Sequence, residues 1–88
     1  MASYKLLFKR SAEKELRKIP SSYLSKILKK IGELTENPRP PGVQMLKGED
    51  RYFRFRHGDY RVIYEVDDPK LEVTIIKIGH RREVYDSL

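Results

Sequence analysis

The sequence predicts an α+β fold: a strand, a two-helix hairpin, then three to four antiparallel strands, with the helices packed on one face of the sheet and a short C-terminal helical turn or tail. Three observations carry this. Leu24, Ile27, Leu28, Ile31 and Leu34 recur at the spacing of one helix face. Arg51-Tyr52-Phe53-Arg54-Phe55-Arg56 alternates with the period of a half-buried strand. Two apolar runs, Tyr60 to Val66 and Leu71 to Ile78, flank a turn at Asp67 to Lys70, which reads as a β-hairpin. The 88 residues make one domain, 1–88. A domain of that size buries only roughly 60 to 65 per cent of its unfolded surface, so its core is one sheet against a helix or two.

Each element has its own signal. Tyr4, Leu6 and Phe8 share one face of a short first strand. Ser11 is placed to cap the helix that follows, in which Ala12, Leu16 and Ile19 fall at helical spacing and Glu13 and Glu15 suit the positive end of the helix dipole. Pro20 ends it, because the residue before a proline is pushed out of the α region. The second helix runs from about Ser21 to Asn37, and so short a link between the two predicts an antiparallel helical hairpin. Lys26, Lys29 and Lys30 lie opposite its apolar stripe and read as a solvated face. Pro38, Pro40, Pro41 and Gly42 form a stiff link back to the sheet, where Met45 and Leu46 are expected in a short strand. Phe53 and Phe55 should face the helices, leaving Tyr52, Arg54 and Arg56 on the open side. The run Leu71 to Ile78 is apolar on both parities, so alternation does not fix its faces, and it is read as a central strand.

Composition narrows the partners. Nineteen Lys and Arg against thirteen Asp and Glu give a net charge of +6, which favours acidic partners, nucleic acid first and an acidic protein second. The chain has no cysteine, so disulfides and thiolate metal sites are excluded, and a cytoplasmic home is the default. No apolar run approaches the roughly 20 residues of a membrane helix, and Met1 to Phe8 lacks a signal-peptide core. The two histidines, His57 and His80, and the scattered carboxylates show no metal-ligand spacing, so neither metal nor cofactor is expected.

The candidate site follows from the hairpin. Antiparallel pairing around Asp67 to Lys70 brings Arg61, at the start of one strand, beside Arg81, just past the end of the other. Arg54 and Arg56 come from the adjoining strand through the short turn His57-Gly58-Asp59. Arginine offers a rigid fork of donors that matches phosphate oxygens, and clustered cations on one sheet face call for a polyanion or interleaved carboxylates. Asp59, Glu65 and Glu72 are the carboxylates at hand, and none falls among the arginines by pattern. Tyr85 either packs the tail onto the sheet or stacks on a base.

Strand, two helices and three strands, with GDYRVIYEV followed by IGHRREVY, together resemble the RelE toxins of the RelE/ParE superfamily over essentially the whole chain. The resemblance implies the toxin of a type II toxin–antitoxin system. It would be a ribosome-dependent, metal-independent endoribonuclease (an mRNA interferase) that cuts the A-site codon and arrests translation and growth. A cognate acidic, helical, RelB-like antitoxin would neutralise it, and operator DNA would be met only through that complex. Residue by residue, Arg61 matches the arginine that steadies the scissile phosphate. Arg81 matches the one assigned to leaving-group protonation or transition-state charge, and Tyr85 the tyrosine that stacks on an A-site base. Arg54 stands where the best-known members have a lysine, Arg56 matches an arginine of the same strand, and Tyr52 stands where they have a second lysine proposed as the base. Arg51, His80 and Arg82 complete the expected RNA-contacting set.

The chemistry can be stated without the family. The 2′-hydroxyl of RNA attacks the adjacent phosphorus and the 5′-oxygen leaves, giving a 2′,3′-cyclic phosphate and a 5′-hydroxyl. The protein must hold that geometry, stabilise the doubly charged phosphorane and move two protons. Arginine serves charge stabilisation well and proton transfer poorly, since guanidinium stays protonated. His57, His80, Tyr52 and Tyr85 are the candidate acceptors, histidine first by its ordinary pKa. Two other classes stay open: a ParE-like gyrase poison, and an inactive member that only binds antitoxin.

Overall fold

Residues 3–46 and 51–80 are described by the computed structural model. The elements are β1 (Lys5–Phe8), α1 (Arg10–Leu16), α2 (Ser21–Glu33), β2 (Gln44–Met45), β3 (Tyr52–His57), β4 (Tyr60–Asp67) and β5 (Glu72–His80). They form an α+β domain with one sheet of order β1-β5-β4-β3-β2. The strands after the helices are antiparallel, as expected, but β1 pairs parallel to β5, so the sheet is mixed. That pairing places β5 inside the sheet, which accounts for its apolar character.

α1 starts two residues earlier than a cap at Ser11 implies, with Arg10 as its first residue. Lys9 donates its backbone N–H to the Ile75 carbonyl at 2.9 Å, the last bond between the first strand and β5, and the chain turns helical directly after it. Ser11 therefore lies inside the first turn, and Lys9 at the N-cap makes no side-chain cap. α2 is shorter than its apolar stripe, ending at Glu33 rather than Asn37. The Thr35 hydroxyl donates to the Gly32 carbonyl at 2.8 Å, a local bond that competes with continuing the helix. Leu34 is nonetheless 2% exposed, so the stripe continues past the helix end, but Leu28, expected in it, is 41% exposed.

Ala12, Ile19, Ile27, Ile31 and Leu34 pack from the helical side onto Phe53, Phe55, Val62, Tyr64, Val66, Val73, Ile75 and Ile78. The two parities of β5 are reconciled by a β-bulge. Val66↔Val73 and Tyr64↔Ile75 are in register, but Val62 pairs with Ile78, so one residue is inserted between. The inward face is then Val73 and Ile75 before the bulge and Ile78 after it. The turn Gly58-Asp59 closes β3 and β4 with His57 opposite Tyr60, and Gly58 takes φ 59°, which a two-residue hairpin with glycine first requires.

Two contacts hold the linker after α2. The Tyr64 hydroxyl, in the core, donates to the Pro38 carbonyl at 2.6 Å, and burial pushes its pKa up. Arg39 grips Asp68 in the β4–β5 turn through two bonds, 3.1 and 2.8 Å, while the Tyr4 hydroxyl donates to the same carboxylate at 2.6 Å. Among the described residues no helix is long and apolar enough to cross a membrane.

Candidate functional site

The helices cover one face of the sheet, and the site lies on the other. Paired residues of neighbouring antiparallel strands put their side chains on the same face. Arg56 is directly opposite Arg61, and Arg54 is opposite Ile63 and, on the far side, Gln44. Arg54, Arg56 and Arg61 line one concavity of about 200 Å³ together with Gly42 and Gln44. Arg54 donates through Nη2 to the Gln44 side-chain oxygen. Arg61 is 4% exposed, the one charged residue that is buried among the described residues. The sequence places it at a mouth of the hairpin; the structure sinks it into the sheet surface, opposite Gly79 of β5. A buried guanidinium acts through a lower effective dielectric than one in water, so its pull on an anion is stronger.

Other expected contributors are positioned differently. Tyr52 is half-buried on the arginine face, near the opposite end of β3 from Arg56, with the Arg51 guanidinium 5.7 Å from its ring centre. Arg51 also pairs with Glu65 at 2.8 Å. The expectation that no carboxylate interleaves with the arginines is thus corrected: Glu65 sits opposite Tyr52 in register and reaches the neighbouring Arg51. His80 is exposed and opposite Tyr60, on the helical side of the sheet rather than beside Arg61. His57 lies on that side too, 6.1 Å from the ring of Tyr23. Arg81, Arg82 and Tyr85 fall outside the described residues.

Lys77 was not anticipated. It pairs with Ile63 and shares the face of Arg54 and Arg61, because the bulge switches the parity of β5, a shift no alternation rule can locate. Gln44 and Gly42 were missed because their role depends on the edge pairing of β2. Among the described residues no group of three or more His, Cys, Asp and Glu side chains is gathered to hold a metal ion. What the open face offers is a concavity lined by three arginines carried on paired strands.

A family model described as the ParE toxin of type II toxin–antitoxin systems, parDE, matches residues 6–85. The chain is 36% identical over 86 residues to the mRNA interferase toxin RelE of Escherichia coli K12, covering 94% of this chain and 90% of that protein. It is 29% identical over 83 residues to toxin RelG of Mycobacterium tuberculosis, covering 93% and 95%. In fold it is similar to the archaeal RelE–RelB complex from Pyrococcus horikoshii, with TM-score 0.81, 28% identity and coverage of 90% of this chain and 96% of that one. The isolated E. coli RelE toxin matches with TM-score 0.79 and 33% identity over 96% and 93% of the two chains. Sequence and fold agree over nearly the whole length, and the chain belongs to the RelE/ParE family of type II toxin–antitoxin toxins, as a RelE-type member.

Proposed function

We propose that this toxin is a ribosome-dependent endoribonuclease that cleaves mRNA in the A site by 2′-hydroxyl attack, without a metal. The observation that carries the reading is the shared concavity of Arg54, Arg56 and Arg61 on the sheet face the helices leave open. Three cations there match the charge that a phosphorane develops, and they are held by strand pairing before substrate arrives, so little reorganisation is needed during reaction. The nucleophile belongs to the RNA, and holding it in line can itself contribute roughly 7 kcal/mol or more in good cases. The name of the E. coli relative, mRNA interferase, supports the same activity. Arg81 and Tyr85 are assigned to leaving-group charge and base stacking on the family pattern.

The partner is a cognate acidic, helical antitoxin of the RelB kind, supported by the solved RelE–RelB complexes from P. horikoshii and E. coli and by the net charge of +6. Operator DNA is met only through that complex, and the site of action is cytoplasmic. The deciding experiment incubates the purified chain with ribosomes programmed by a defined mRNA and maps new 5′ ends. Codon-phased cuts that vanish in Arg61→Ala, Arg81→Ala and Tyr85→Ala, with antitoxin binding retained, support the reading. Intact mRNA together with inhibited gyrase supports the ParE-like alternative. Cleavage is expected to persist at chelator levels that sequester trace transition metals and leave ribosomes assembled; loss of the defined cut under those conditions argues for a metal.

A further inference from the structure

β1 ends at Phe8, opposite Ile75, while β5 continues to His80. Beyond that point no strand among the described residues lies beside the edge of β5, and a cleft of about 450 Å³ straddles it. The cleft is lined by Tyr60, Lys77, Gly79 and His80 from the sheet and by Glu15, Lys18 and Ile19 from the end of α1 and the following turn. Tyr60 is braced from two directions, with the ring of Tyr23 at 5.5 Å and that of His80 at 6.0 Å. An aromatic wall braced by one tilted and one edge-on ring, an apolar floor at Ile19 and two ammonium groups at the rim form a combination suited to a base with its phosphate. Lys18 is exposed and is answered by Glu15 at 3.4 Å, so the net charge of the rim stays positive through Lys77.

The cleft also adjoins the arginine site. Arg61 and Gly79 are opposite residues of adjacent strands, which lie about 4.8 Å apart. Because Tyr60 and His80 lie on the helical side, a strand of RNA gripped at Arg61 on the open face reaches the cleft by crossing Gly79 and turning around the edge of β5 past Lys77.

We propose that this cleft seats the base of a nucleotide next to the scissile linkage in the mRNA, stacked on Tyr60 with its phosphate at Lys77 and Lys18. The inference rests on the nuclease reading above. Base–aromatic stacking is tolerant of sequence, because every base has a π-face, so the cleft contributes grip and register rather than codon choice.

The test uses programmed ribosomes and mRNAs carrying one abasic nucleotide on either side of the cut. With the wild-type chain, one of the two positions raises KM about tenfold, equivalent to ~1.4 kcal/mol. Tyr60→Ala raises KM about tenfold on the normal mRNA and adds nothing further at that abasic position, while Tyr60→Phe, which keeps the ring, behaves as wild type. Lys18→Glu, at an exposed position, raises KM severalfold without disturbing the core. The proposal is overturned if the Tyr60 and abasic losses multiply, if neither abasic position matters, or if Tyr60→Ala lowers kcat at unchanged KM. A Tyr60 effect with no abasic sensitivity assigns the cleft to ribosomal RNA instead. Wild-type chain that leaves programmed ribosomes uncut removes the nuclease reading and this one together, whereas normal cutting with a Tyr60-independent KM removes the cleft alone.

Discussion

In the proposed site Arg61 is expected to matter more than its neighbours, because it is both central and buried, with Arg56 opposite on one side and Gly79 on the other. Gly79, opposite Arg61 on the β5 side, adds no side chain there. Removing a preorganised donor from a developing oxyanion typically costs about 10²- to 10³-fold in rate. Arg61→Ala is therefore expected to lower single-turnover cleavage on programmed ribosomes by about that factor, and Arg61→Lys to recover only part of it, since a point charge does not reproduce the fork. Equal rates for Lys and Arg would reduce its role to bulk charge. Asp68 illustrates the residue scale away from the site. The Arg39 hydrogen bonds, then that of Tyr4, hold its carboxyl down to about 2 from an ordinary 3.8. A depressed carboxylate stabilises the fold fully above the ordinary value, and the contribution is lost as pH falls through the folded one. Asp68→Asn should accordingly flatten the acid limb of a stability-versus-pH curve between 3.8 and about 2. The step is small, because the Asp68 side chain is 51% exposed and solvent screens the pair.

Element by element, the sequence was most legible where one periodicity ruled. The alternation of Arg51 to Arg56 put Phe53 and Phe55 under the helices and Arg54 on the open face, as found. The stripe from Leu24 to Leu34 located α2 but not its end, because Thr35 closes the helix by a local bond that hydrophobic spacing does not register. β5 was ambiguous for a physical reason: a bulge between two inward-facing stretches makes both parities apolar and hides Lys77. The convergence of Arg54, Arg56 and Arg61 could be read from turn lengths alone, whereas the burial of Arg61 and the Arg51–Glu65 pair depended on side-chain reach. The β3–β4 turn offers a test at this scale. Gly58 has φ 59°, and a Cβ there would lie 3.0 Å from Cε1 of Tyr23. Left-handed backbone costs an L-residue ~1–2 kcal/mol, and moving Tyr23 would also open the rings around Tyr60. Gly58→Ala should lower Tm by roughly 4–8 °C for each kcal/mol lost in a domain of this size; an unchanged melting curve would mean the turn relaxes at no cost.

Taken as a whole molecule, the fold separates its two jobs by face. Both helices lie on one side of the sheet, so the thin core is closed there, and the opposite side is left to cations anchored on β3 and β4 rather than on mobile loops. Strand-borne arginines keep their spacing, which is what a phosphate chain with a fixed repeat demands. The net charge of +6 alone would draw the chain to any polyanion, so the question is whether binding is diffuse or counted in particular contacts. Salt answers it, because each phosphate contact releases condensed counterions and adds a fixed increment to the slope of log affinity against log salt. Arg54→Ala and Arg56→Ala should each reduce that slope for programmed ribosomes by about 1. Lys26→Ala, exposed on the outer face of α2, removes the same charge from the closed side and should leave the slope unchanged. If all three variants shift it equally, the toxin is held by overall charge, and the open sheet face is not where the RNA lies.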